Sequence, residues 1–207
     1  MDKRLKQIHD KAKAYYLKEN IRRNMPVSEL CENLGITKEE YDHYFGSKAN
    51  LVRRLLQLER EAFMEIFDEY DFEGVNAIDI LMTVSRELAR RFKEMTASIS
   101  YSLRKLYPRI YQEHFSERSE FIFNKIQINL TKGINQGIYR DDLSIELLAR
   151  LYISRLIDIH NPDFFPPDKF SFNTLFEVMF DSFIRSIAND KGLAYYEERR
   201  KSVDFEI

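Results

Sequence analysis

The chain has 207 residues, 32% charged and 44% hydrophobic, with a formal net charge of −2; this is a soluble globular composition and excludes binding of polyanions through overall charge. Six glycines and five prolines leave little for turn-rich β architecture and favour an all-α protein. The single Cys31 excludes an internal disulfide and a CxxC zinc site and reads as a small buried residue, and no apolar stretch approaches the roughly 20 residues of a membrane span.

The charge is unevenly placed. Residues 1–55 carry net +4 and residues 56–207 net −6, a basic head on an acidic body, which suits a small nucleic-acid-binding head. The first twenty residues, MDKRLKQIHDKAKAYYLKEN, are charged throughout, so no signal peptide is expected and the protein should be cytoplasmic.

Residues 3–19 should form an amphipathic helix, with Leu5, Ile8, Ala12, Tyr15 and Tyr16 on one side and Lys3, Arg4, Lys6, Lys11 and Lys13 over much of the rest. Asn20 is a plausible cap, and Arg22 and Arg23 precede Pro26, which is placed to open the next helix. In that helix Val27, Leu30, Cys31 and Leu34 recur at helical spacing. Gly35 stops it. Thr37 restarts the chain as a helix, and Glu40, three residues on, completes a T-x-x-E capping box. Tyr41 and Phe45 can fold this helix back on its predecessor. Helix, glycine turn and second helix at this spacing form a helix-turn-helix.

Ser47 caps a long helix from Lys48 to about Tyr70, and 71–76 is a break. The body continues with helices over about 76–94, 97–106, 108–136 (ending on Gly137) and, capped by Ser144, 145–160. The segment NPDFFPPDKF at 161–170 is a connecting loop. A helix over about 172–189 follows, with Gly192 expected to separate it from a last short helix, 193–201.

Between residues 60 and 125 aromatic side chains are dense, among them Phe63, Phe67, Tyr70, Phe92, Tyr101, Tyr111 and Phe115, with His114 beside them. Such a set either packs a helical core or lines a small-molecule cavity with a few polar handles. Residues 145–159 and 172–187 are too apolar for one buried face. Leu148, Leu151, Tyr152 and Leu156, with Phe176, Met179, Phe180 and Phe183, could pack partly against a second copy as a four-helix interface. Catalytic signatures are absent: there is no glycine-rich phosphate loop, HExxH, GxSxG or cysteine–histidine pairing. His114 with Glu113 and Glu117 could place a metal-ligand pair at i, i+3, but the set reads more simply as a surface charge cluster. Neither a metal nor a cofactor is called for, and the chain is not expected to be an enzyme.

The run VSELCENLGITKEEYDHYFGSKANLV resembles the N-terminal signature of TetR-type bacterial transcriptional regulators, in Gly35, Phe45, Lys48, Leu51, the small Cys31 and the long helix after the lysine. The likeness covers roughly residues 5–52. It implies a helix-turn-helix DNA-binding domain over 1–50, joined by a long helix to a ligand-binding and dimerisation domain over 51–207. It further implies a homodimer that binds a double-stranded DNA operator and a small-molecule effector, with no membrane partner. Effector binding would change the separation of the two heads, most simply in a repressor released by an apolar or aromatic molecule.

Carried over by residue, the resemblance assigns DNA contact to Thr37, Lys38, Glu39, His43, Tyr44 and Lys48. The chain departs from the pattern at Glu39 and Glu40, where small residues usually stand, and at Asp42, where a phosphate-binding tyrosine is usual. Pro26 replaces a threonine cap. Residues 38–44 sum to −2, which phosphates repel. Two readings follow. Glu39 reads a cytosine amino group while Lys48, Tyr44, Arg22, Arg23 and the first helix hold phosphates. Alternatively, the head no longer binds an operator and the chain is a ligand-binding or protein-interaction module.

Overall fold

The structure is a computed structural model and describes residues 3–18, 25–92, 103–159, 161, 163–166 and 168–202. The expected Asn20 cap, Arg22, Arg23, Tyr101 and most of the 97–106 helix lie outside these residues, as does the side chain of Phe92. The described elements are α1 (Lys3–Lys18), α2 (Val27–Leu34), α3 (Lys38–Tyr44), α4 (Lys48–Glu69), α5 (Ala77–Phe92), α6 (Pro108–Asn135), α7 (Ile145–Asp158), α8 (Phe172–Ile187) and α9 (Asp190–Ser202). A further helical turn covers 103–106. The fold is all-α, and no described helix is long and apolar enough to cross a membrane.

The chain divides into two compact units, residues 1–64 with 94–117, and residues 65–93 with 118–207. The first is built on α1 to α3. Ile8 and Ala12 of α1, Leu30, Cys31 and Leu34 of α2, and Tyr41 of α3 share one apolar cluster with Phe45, Leu51, Val52 and Leu56. Leu103 and Ile110 enter the same cluster, and Tyr107 and Tyr111 pack against it. Cys31 is buried there, and burial pushes its thiol pKa up, which keeps it protonated and inert.

In the second unit the apolar faces of α7 and α8 meet. Tyr152 and Phe183 pack with ring centroids 4.5 Å apart. Phe176, Met179, Phe180, Ile184 and Ile187 of α8 are all buried. The far end of α6 holds the 71–76 turn through polar bonds. Gln136 accepts from the Ala77 amide at 2.9 Å and donates to the Val75 carbonyl at 3.1 Å, and Lys132 donates to the Phe72 carbonyl at 2.6 Å. The buried Asn129 donates to the Ala77 carbonyl at 2.9 Å and accepts from the Tyr139 hydroxyl at 3.1 Å.

Two expectations are corrected. Pro26 is the N-cap of α2, one residue before the helical position expected of it. Gly192 does not separate two helices; it lies buried inside α9. The break falls at Ala188 and Asn189, whose side-chain oxygen accepts from the Gly192 amide at 3.0 Å and so caps the new helix. Gly192 lacks a side chain for another reason: a Cβ there would lie 2.0 Å from the Ile138 carbonyl oxygen. The absence of Cβ permits close backbone approach, which the local sequence does not reveal.

Candidate nucleic-acid interface

The helix-turn-helix forms as the sequence dictates. Gly35 closes α2 at φ 61°, and its amide and that of Ile36 bond back to the Glu32 and Cys31 carbonyls at 3.1 and 3.0 Å. Thr37 accepts from the Glu40 amide at 3.1 Å, and the Glu40 carboxylate accepts from the Thr37 amide at 3.0 Å. Both halves of the capping box are therefore made. Tyr41 and Phe45 turn inward with ring centroids 6.0 Å apart. Lys38, Glu39, Asp42 and His43 consequently face outward, and Tyr44 is half-buried.

The charges on this outward face are mostly spoken for. Arg4 of α1 reaches across the first unit and grips Glu40 with both arms, Nε to Oε1 at 2.8 Å and Nη2 to Oε2 at 3.1 Å. The same guanidinium lies 3.4 Å from the Gly35 carbonyl. The Arg4 bond first, and the Thr37 amide next, hold the Glu40 carboxyl at a pKa of about 2. Lys38 pairs with Asp42 one turn on, at 2.5 to 2.6 Å. Glu39 is exposed and has no ion-pair partner among the described residues. Its pKa is lowered by its own backbone amide first and by the Thr37 hydroxyl next. His43 is exposed with its ring edge-on to Tyr44 at 4.9 Å.

Lys48 donates to the Met25 carbonyl, so its cation is anchored just before α2. All six residues assigned to DNA contact lie on α3 or close beside it in the chain, Thr37 just before it and Lys48 at the start of α4. Sequence reading missed Arg4, because opposite charge at a separation of 36 residues is no signal in a chain so rich in both signs.

The residues assigned to an effector divide between the units. In the first, Phe63 is buried, Tyr111 stacks on Phe115 at 6.3 Å, and His114 is buried with its Nδ1 3.2 Å from an Arg60 nitrogen. Arg60 also pairs with Glu117 at 2.5 Å, and Glu113 lies 3.7 Å from Arg53. The 113–117 segment is thus an interhelical ion-pair set around a buried imidazole, which corrects the surface-cluster reading of His114. In the second unit Phe67 meets Phe121 at 5.3 Å, and Tyr70 stacks on Phe72 at 5.8 Å. The Lys125 ammonium sits between two rings, 4.7 Å from Phe67 and 5.1 Å from Phe121. A cleft of about 460 Å³ in this unit is lined by Gly74, Asn76, Gln136, Ile138, Lys191, Ala194, Tyr195 and Glu198, none of them among the expected aromatic residues.

Of the residues assigned to a subunit interface, Tyr152, Phe176, Met179, Phe180 and Phe183 are buried within the chain itself. Leu148 and Leu156 are half-buried and Leu151 is exposed. The apolar side chains that α7 and α8 leave outside are Leu147, Leu151, Ile157 and Val178, 56, 47, 38 and 61% exposed.

No family model and no curated protein matches the chain. Solved structures do match over nearly its whole length. A TetR transcription regulator from Haloarcula marismortui aligns with a TM-score of 0.69 at 16% identity, covering 89% of this chain and 97% of that one. A transcriptional regulator from Cytophaga hutchinsonii aligns at 0.71 and 15%, covering 91% and 100%. A protein assigned as a transcriptional regulator, from Saccharomonospora viridis and in complex with choline, aligns at 0.70 and 14%, covering 91% and 100%. At such identities the likeness is one of fold: the chain has the fold of TetR-family regulators, helix-turn-helix and helical body together.

Proposed function

We propose that the chain is a TetR-family transcriptional regulator, a homodimer that binds a DNA operator through α3 and is released from it by a small effector. The observation that carries this reading is the outward face of α3. It is presented by a capped, glycine-terminated helix-turn-helix within this fold, and its acidic residues are largely paired. Glu39 reads a base edge, accepting from cytosine N4, while Lys48, Tyr44 and the basic α1 meet phosphates.

For the dimer, Leu147, Leu151 and Val178 form the available apolar surface of α7 and α8. For the effector, an apolar, aromatic or organic-cation molecule fits the aromatic groups around Phe67 and Tyr111. The Saccharomonospora protein holds choline, and Phe67 and Phe121 here already accept an ammonium, that of Lys125.

Fluorescence anisotropy on duplexes from the gene's own neighbourhood, across a salt series, tests the reading. One fragment should bind far more tightly than unrelated duplex, with affinity falling steeply as salt rises. Absence of binding to every fragment would refute it. Glu39→Ala should change preference at one base pair, whereas Lys48→Ala should weaken all sequences alike.

A further inference from the structure

Glu40 meets two demands that conflict in a DNA-reading helix. Its carboxylate closes the capping box by accepting from the Thr37 amide at 3.0 Å. That bond needs an acceptor oxygen at this position, which glutamine supplies equally well. The negative charge is surplus to the cap, and it stands on a helix whose residues 38–44 sum to −2. A phosphate backbone approaching α3 would be repelled.

The structure places a counter-charge on this carboxylate from elsewhere in the chain. Arg4 binds both Glu40 oxygens in a fork, at 2.8 and 3.1 Å, and touches the turn carbonyl of Gly35 at 3.4 Å. Such a bidentate pair fixes orientation as well as neutralising charge. Lys11, two turns along α1, has its ammonium 3.1 Å from where a Gly35 Cβ would lie, so a second cation flanks the turn. Helix α1 is held in place by Ile8 and Ala12, both fully buried. With Arg4 on Glu40 and Lys38 on Asp42, the remaining formal charge of the reading surface is −1 and resides on Glu39. The pair is half-buried, its side chains 39% and 29% exposed, and an ion pair that solvent still reaches makes only a modest contribution to stability. Its chief effect therefore falls on what approaches α3.

We propose that Arg4 is a positioning residue for DNA binding: docked on Glu40, it masks the charge that the capping box brings to the recognition helix and lets duplex DNA approach α3. This rests on the regulator reading. The test uses the full chain and two duplexes, the tightest neighbourhood fragment and an unrelated sequence, by anisotropy at several salt concentrations, with thermal unfolding in parallel. Arg4→Ala should weaken binding to both duplexes several-fold, most at low salt. Glu40→Gln, which keeps the cap, should strengthen both. The double variant Arg4→Ala/Glu40→Gln should return toward wild-type affinity while its melting temperature stays with that of Arg4→Ala, and Arg4→Lys should retain most binding. A double variant as weak as Arg4→Ala would make Arg4 a structural staple and overturn the proposal. So would a Glu40→Gln variant that binds no tighter than wild type, a result that stands even if Arg4→Ala fails to fold. Wild-type protein that binds neither duplex overturns the regulator reading, and this proposal with it; wild-type binding with unresponsive variants overturns this proposal alone.

Discussion

Individual side chains in the head show how local and distant forces divide the work. The Glu40 carboxyl is held at about 2, against an ordinary value of 4.5, by Arg4 and then by the Thr37 amide. A carboxylate depressed in the folded state adds stability that is fully present above its unfolded pKa and is lost as pH falls toward the folded value. The stability difference between wild type and Glu40→Gln should therefore be constant above about pH 4.5 and shrink between there and about pH 2, as followed by thermal melts. Glu87 behaves alike: Arg90 first, then Arg91, hold this buried carboxyl at about 2, so Glu87→Gln should flatten the same acid limb.

Tyr41 illustrates the opposite case. Its ring fills the core of the first unit at 1% exposure, but its hydroxyl finds no hydrogen-bond partner among the described residues. Burial raises its pKa to about 12. Since an unsatisfied buried hydroxyl costs about 1–3 kcal/mol, Tyr41→Phe should raise the melting temperature; an unchanged or lower value would mean the hydroxyl is satisfied in solution.

Helices were legible in the chain wherever their signals are local. The capping box at Thr37, the Gly35 turn, the Ser47 and Ser144 caps and the 71–76 break are each read from a few adjacent residues, and the structure forms them. What was misread depends on distant contacts. Gly192 looked like a helix break because glycine usually is one; its small size is required by the Ile138 carbonyl, more than fifty residues away. Gly133 is a companion case, since a Cβ there would lie 2.0 Å from the Tyr139 ring. Gly133→Ala and Gly192→Ala should each destabilise by at least about 1–3 kcal/mol, read as a loss of about 2–4 °C per kcal/mol in thermal unfolding, because overpacked sites must displace neighbours. A melting temperature equal to wild type would show that the contacts give way freely. Periodicity likewise marked α7 and α8 as apolar on more than one side but could not say which side the chain itself would cover. Tyr152, Phe180 and Phe183 turned out to be core, and Leu147 and Val178 the residues left outside.

As an assembly, the proposed dimer should depend on those outside residues. Replacing Leu151 and Val178 together by glutamate puts charge on exposed apolar positions, so the fold should persist by circular dichroism while light scattering reports a monomer. Operator affinity should fall with it, since two heads on one duplex bind two half-sites. A Leu151→Glu/Val178→Glu variant that remains dimeric would move the interface elsewhere. The helix-turn-helix was legible in the sequence, but the ion pairing around α3 was not. The motif marks the two helices, whereas the counter-charge on Glu40 comes from α1, thirty-six residues upstream.

That distance has a practical consequence for anyone recombining such heads. If Arg4 masks Glu40 as proposed, positions 4 and 40 should behave as one heritable trait, although they lie on different helices. Among relatives, a neutral residue at 40 should relax the demand for a cation at 4, and the two should change together. A chimera that imports this recognition helix without its first helix would inherit the acidic cap and leave its antidote behind.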